Sequence, residues 1–171
     1  MQAPGRELLS PEQIAARVDE LATEIAYAYG DGPLVLLAVL KGATHFASDL
    51  MRRLDLDVRL EFIRAKSYVG TDSTGTVRFT VMPETSLEGR DVLVVEDIFD
   101  TGRTCAAILR KLEAQHPKSL AICTLLDKPS RRIKSVEADY VGFTIEDHFV
   151  VGYGLDHDEQ YRQLPGVYVL E

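Results

Sequence analysis

Apolar and polar positions along this chain follow two rhythms. Residues 34–40 (LVLLAVL) and 120–126 (LAICTLL) are continuous apolar runs, and 92–95 (VLVV) is a third. Runs of that length and β-branching predict strands buried on both faces. Helical spacing appears between them. Ser10-Pro11-Glu12-Gln13 combines an N-cap, a proline at N1 and a capping-box glutamine. Ile14, Val18, Leu21 and Ile25 then form an apolar stripe that Gly30 ends. Residues 43–54 predict a second helix, and a third runs to about residue 115. Shorter strands are predicted at 58–65, 77–82 and 140–145. Residues 149–155 read as a strand or arm, and 167–170 as a last strand. Strands alternating with helices predict an α/β fold, a parallel-sheet core flanked by helices. The segments at the N-terminus and after about residue 140 are left to form a small hood over the sheet edge. With no repeat or linker to divide it, the chain is expected to be a single domain, 1–171.

Composition narrows the function. A hydrophobic content of 46% excludes a disordered chain, and 171 residues suffice for a real core. A formal charge of −8 argues against nucleic acid as a partner. It leaves room for an anionic substrate held by local cations. No apolar run is as long as a membrane span and no apolar leader opens the chain, so no membrane partner and a cytoplasmic location are expected. Cys105 and Cys123 make neither a disulfide framework nor a metal cluster. In the first turn of a helix the Cys105 thiol would have a lowered pKa, although a packed small residue is the plainer reading. His45, His116, His148 and His157 show no ligand spacing.

Chemistry concentrates in Val92–Thr104, VLVVEDIFDTGRT. The apolar strand ends on Glu96-Asp97, and Asp100-Thr101-Gly102-Arg103-Thr104 turns into a helix. Ligands of open α/β sheets bind at that end of the strands. The turn offers backbone N–H groups, two hydroxyls and a helix N-terminus, which suit a phosphate. Adjacent carboxylates accept hydrogen bonds from a cis-diol. Phosphate and diol together describe a ribose 5-phosphate. The competing reading is a capped helix start with Asp100 as N-cap. Lys41-Gly42, straight after the strand at 34–40, gives a cation and accessible backbone suited to a second phosphate. Residues 66–76 (KSYVGTDSTGT) have Gly70 and Gly75 at P-loop spacing, but no lysine follows, so a nucleotide-binding P-loop is rejected. Around Lys128, Asp127 and Arg131-Arg132 read simply as a solvated charge cluster.

The Val92–Thr104 pattern resembles the phosphoribosyl diphosphate motif of type I phosphoribosyltransferases, in a form most like the hypoxanthine-guanine phosphoribosyltransferases. The resemblance runs from Leu40 to Leu164. It implies transfer of a 5-phosphoribosyl group from phosphoribosyl diphosphate to a 6-oxopurine, with Mg2+ as cofactor. It makes Asp100 the general base at purine N7, and sets Glu96 and Asp97 by the ribose hydroxyls. Thr101, Gly102, Arg103 and Thr104 form the 5-phosphate loop. Lys41, Gly42 and Arg162 are implied at pyrophosphate, in a loop that often carries a cis peptide, here Leu40-Lys41. Ser67-Tyr68 would belong to a mobile lid. Lys128 would donate to the purine C6 oxygen, Phe149 would stack on the base, and the Val150 backbone would read its edge. Asp156, with Glu96 and Asp97, would carry the metal. A homodimer or homotetramer is implied. His157, Phe99 and His45-Phe46 depart from the usual pattern without removing a functional group. Two alternatives remain: a ligand-sensing regulator that keeps the sugar-phosphate motif, and adenine or pyrimidine transfer, which Lys128 and Phe149 weigh against.

Overall fold

The computed structural model describes residues 4–67 and 77–170. Its centre is a six-stranded sheet. In chain order the strands are β2 (Leu34–Val39), β3 (Val58–Ser67), β4 (Val77–Val81), β5 (Asp91–Phe99), β6 (Ser119–Asp127) and β7 (Tyr140–Thr144). They lie in the order β4-β3-β2-β5-β6-β7. All adjacent pairs are parallel except β3–β4. The expected parallel-sheet core is present, with one antiparallel edge: the link from Ser67 to Val77 is too short for a crossover helix, so β4 returns antiparallel.

Alternation along the central strands sorts the core into two layers. Leu34, Leu36 and Ala38 face a cluster with helices α1 (Pro11–Tyr29) and α2 (Thr44–Met51). Val35, Leu37 and Val39 face the other cluster with helix α3 (Arg103–Glu113). Helix α1 begins as the sequence predicts: Ser10 Oγ accepts from Gln13 N, Gln13 Oε1 accepts from Ser10 N, and Ile14, Val18, Leu21 and Ile25 are buried. Its Arg17 donates to the carbonyls of Val141 and Gly142, tying the helix to β7. Helix α2 is shorter than expected, closing at Arg52.

The hood is a separate three-stranded sheet, β1-β9-β8, from Glu7–Leu9, Val167–Val169 and Val150–Val151. Strand β1 escaped sequence reading because three residues carry no period. The arm after β8 is anchored by Tyr153, whose hydroxyl donates to Asp49 Oδ2 at 2.7 Å. Burial raises the Tyr153 pKa, and the adjacent Asp49 carboxylate adds to this.

Strand lengths prepare the site. Pairing between β2 and β5 stops at Ala38–Val95, whereas β5 and β6 stay paired to Phe99–Asp127. Strand β5 therefore runs through Glu96 and Asp97 instead of ending before them, and its last residues have one free edge facing the Leu40–Gly42 turn.

Candidate active site

Two cavities open at the carboxyl end of the sheet. The first, about 350 Å³, is lined by Lys41, Gly42, Glu96, Asp97, Asp100, Thr101, Gly102, Thr104, Asp156 and Arg162, among others. The second, about 510 Å³, is lined by Lys128, Arg131, Asp147, Phe149, Val150 and Leu155. Asp97, Ile98, Asp100 and Asp156 line both. The residues expected at sugar, phosphate and pyrophosphate thus meet in one chamber, those expected at the purine in the next, and Asp100 stands at the junction. Arg103 is exposed at the start of α3 and does not line either cavity. Of the expected lid pair, Ser67 ends β3 and Tyr68 lies outside the described residues.

The turn expected to hold phosphate is shaped by Gly102, which adopts φ +77° and caps α3 without any side-chain hydrogen bond. Asp100 is therefore not the N-cap, because helical geometry begins three residues after it. Its carboxylate remains available to the cavities. The loop is braced from behind: the Thr101 carbonyl accepts from the backbone N–H groups of Ile133 and Lys134. Arg132 lies 3.6 Å over the buried Phe99 ring and pairs with Asp127. The expected solvated cluster is thus half wrong. Arg132 and Asp127 are largely covered, and only Arg131 reaches outward.

Burial governs the acids of β5. Glu96 and Asp97 both have raised pKa values. Loss of hydration is the largest cause for each, and the proximity of Asp97 pushes Glu96 further. Arg162 opposes the shift of Asp97. Two adjacent carboxylates in so dry a place favour a proton, diol hydroxyls or a cation as company. The Leu40-Lys41 peptide is cis. It leads to Gly42, where an added Cβ would lie 1.6 Å from Asp97 Oδ2.

At the end expected to take pyrophosphate, Lys41 Nζ contacts Glu159 Oε2 at 2.8 Å. Arg162 Nη2 pairs with Asp156 Oδ1 at 2.7 Å and with Glu159 Oε2 at 3.3 Å. At the end expected to take the purine, the buried Lys128 donates to the His148 carbonyl and lies 3.7 Å from Asp147 Oδ1. Phe149 is 55% exposed and meets the His157 ring edge-on at 5.4 Å. So exposed an aromatic ring on a cavity wall is a stacking surface and not core. Val150 is buried beneath it. Arg131 bridges the wall: its Nε is 2.8 Å from Asp100 Oδ1, and its Nη1 is 3.2 Å from Asp147 Oδ2.

Among the described residues, Arg132 Nη1 and Arg162 Nε are buried without a hydrogen bond, and Asp100 Oδ1 has only its ion pair with Arg131. Asp100 and Arg162 line the first cavity, and unsatisfied groups on a cavity wall mark a binding surface. The carboxylates expected to ligate a metal line one chamber, but no three such groups converge among the described residues. Arg162 and the Glu159 N–H draw Asp156 aside, and the Ile98 N–H holds Asp97 Oδ1. Cys105 is buried with Sγ 3.9 Å from Glu96 Oε2. Desolvation, reinforced by that carboxylate, raises its thiol pKa, so the lowered value expected from its helix position is corrected. Sequence reading missed Arg131, Asp147 and Glu159. Each is a surface charge by composition, and only the fold gives it a partner.

The family profile described as "Phosphoribosyl transferase domain" matches residues 5–158. The hypoxanthine-guanine phosphoribosyltransferase of Mycobacterium avium is 46% identical over 171 residues, covering 96% of this chain and 84% of that protein. That of Bacillus subtilis is 43% identical over 165 residues, covering 96% and 92%. A crystal structure of a hypoxanthine-guanine phosphoribosyltransferase from Bacillus anthracis superposes with a TM-score of 0.95 at 42% identity, covering 99% of this chain and all of that one. Similarity of that extent, over the very segments that build both chambers, places this chain in the phosphoribosyltransferase family, among the hypoxanthine-guanine phosphoribosyltransferases.

Proposed function

We propose that the protein transfers the 5-phosphoribosyl group of phosphoribosyl diphosphate to hypoxanthine or guanine, giving IMP or GMP and pyrophosphate in purine salvage. The observation that carries this reading is the pair of joined chambers with Asp97, Ile98, Asp100 and Asp156 in both walls. A sugar bound in the first presents its anomeric carbon to a base in the second. A protein that only sensed the sugar phosphate would need one chamber, not two.

The roles follow from the groups present. Thr101, Gly102, Thr104 and the N-terminus of α3 hold the 5-phosphate, with Arg103 contributing its backbone position at the start of the helix and not its exposed side chain. Glu96 and Asp97 accept from the ribose hydroxyls, and their charge favours the developing sugar cation. Lys41, Gly42 and Arg162 hold the departing pyrophosphate. Lys128 donates to the C6 oxygen of the purine, which selects 6-oxopurines over adenine. Phe149 stacks on the base and the Val150 backbone reads its edge. Asp100 removes the N7 proton as the new bond forms.

Hard carboxylate oxygens at Asp156, Glu96 and Asp97 fit magnesium, and a site short of three converging protein ligands fits an ion that relies on substrate oxygens. Magnesium bound with pyrophosphate supplies neutralisation of leaving-group charge. The proposal includes a single domain, a homodimer or homotetramer, and a cytoplasmic location. The kinship supports these, and light scattering measures the assembly. The decisive assay is spectrophotometric, with phosphoribosyl diphosphate, magnesium and each of hypoxanthine, guanine, xanthine and adenine. Turnover with the first two and none with adenine is expected. Turnover with adenine alone would overturn the assignment of Lys128.

A further inference from the structure

Glu159 stands where its residue type is unfavourable. His157 and Gln160 exchange backbone hydrogen bonds around a two-residue turn of Asp158 and Glu159. Both central residues have positive φ, +49° at Asp158 and +63° at Glu159. That is the pattern of a type I′ turn, whose second central position favours glycine. Asp tolerates the left-handed region, whereas Glu has no such local compensation. Strain of this kind persists where the side chain is wanted for another purpose.

The contacts show the purpose. The Glu159 carboxylate takes Lys41 Nζ at 2.8 Å and Arg162 Nη2 at 3.3 Å. The Glu159 backbone N–H donates to Asp156 Oδ2 at 2.9 Å, which locks the turn against the same cluster. One carboxylate thus touches both cations read above as pyrophosphate ligands. The pairing is solvated, with Lys41 46% and Glu159 61% exposed, so it is weak enough to exchange.

We infer that Glu159 is an internal competitor for pyrophosphate: its carboxylate takes back Lys41 and Arg162 and so speeds departure of the product. This rests on the pyrophosphate reading of that subsite. It gives Glu159 a positioning role exerted through the two cations, without contact with the reacting atoms. Only noncovalent partners change. Lys41 and Arg162 exchange phosphate oxygens for a carboxylate, and like-charge repulsion between Glu159 and bound pyrophosphate acts in the same direction.

Calorimetric titration of pyrophosphate into wild type, Glu159→Gln and Glu159→Gly in magnesium buffer tests this. Both variants should bind pyrophosphate about fivefold more tightly, and the gain should shrink as salt is raised. IMP affinity should stay unchanged, which a disordered site would not allow. Glu159→Gly should also match or exceed the wild-type melting temperature, because glycine suits the turn. Unchanged or weaker pyrophosphate binding in Glu159→Gln overturns the inference and makes Glu159 a preorganiser of the cations. A gain confined to Glu159→Gly overturns it in favour of turn flexibility. Failure of an active wild type to bind pyrophosphate overturns the reading of the subsite, and the inference with it.

Discussion

Gly42 is packed against Asp97 so closely that a Cβ at position 42 would lie 1.6 Å from Asp97 Oδ2. The contact joins the turn after β2 to the acid on β5, and the two strands end in step up to Ala38–Val95. Gly42→Ala must push the carboxylate out or swing the Lys41 turn away. A displacement of that size misplaces reacting groups, and about a 100-fold loss of kcat/KM is expected. Circular dichroism should show an intact fold, since both residues lie beyond the last β2–β5 pair, Ala38–Val95. Near-wild-type kinetics would mean that the turn gives way at no functional cost.

Asp100→Asn keeps the size of the side chain and removes the base. The expected result is a fall in kcat of about 10² to 10⁴ with pyrophosphate binding retained. Stopped-flow turnover with hypoxanthine reads the first quantity and calorimetry the second. Wild-type turnover at every pH would end the general-base assignment.

Phe149 and Phe46 make a paired prediction, because the same side chain stands in opposite surroundings. Phe149 is 55% exposed on the wall of the second cavity, and Phe46 is fully buried on the inner side of α2. Phe149→Ala should raise KM for the purine about tenfold, the value of one lost stacking contact, with urea stability unchanged. Phe46→Ala should cost about 3–5 kcal/mol of stability. Urea melts of both variants separate the two.

Acid should remove one defined contribution at the start of β5. Asp91 is held below the ordinary carboxylate range by hydrogen bonds from Lys118 and Ser119. A folded pKa below the unfolded one contributes stability that is complete above the unfolded value, 3.8. It is lost as pH falls through the folded value. Wild type should therefore exceed Asp91→Asn in melting temperature at pH 6, and the gap should close as pH falls through the depressed folded value. The gap should be modest, since the Lys118 end is exposed.

Alkali acts through Tyr29 with the opposite sign. Burial, aided by Tyr140, Asp139 and Asp91, pushes the Tyr29 phenol up to about 12. The fold therefore favours the neutral phenol. Its contribution is complete below the ordinary value of 10 and disappears as pH rises through about 12. Between those values the wild-type melting temperature should fall more steeply than that of Tyr29→Phe. Parallel slopes would show that the phenol ionises freely in the native state.

Much of the site was legible in the chain because its pieces are local. An apolar strand running into Glu96-Asp97, a Gly102 turn and a lysine after each of two buried strands are neighbours in sequence, and their spacing reports where a strand gives way to a loop. The capping box at Ser10 and the stripe from Ile14 to Ile25 were equally local. Where the chain left competing readings open, another element decided. Gly102, not Asp100, takes the N-cap of α3. Burial beside Glu96 makes Cys105 a packed thiol with a raised pKa. The short link from Ser67 to Val77 returns β4 antiparallel at the edge of a sheet that is otherwise parallel.

The sequence by itself determined the alternation of strands and helices from α1 onward, the two-faced core and the groups able to meet phosphate, diol and purine. Side-chain period and residue chemistry are properties of neighbours. Only the tertiary structure decided which of those groups share a wall. The register of β2 against β5 puts Gly42 on Asp97, the hood carries Phe149 and Asp156 to the sheet, and a left-handed turn delivers Glu159 to Lys41. Contacts between residues far apart in the chain depend on how layers pack, and no local pattern encodes the partner.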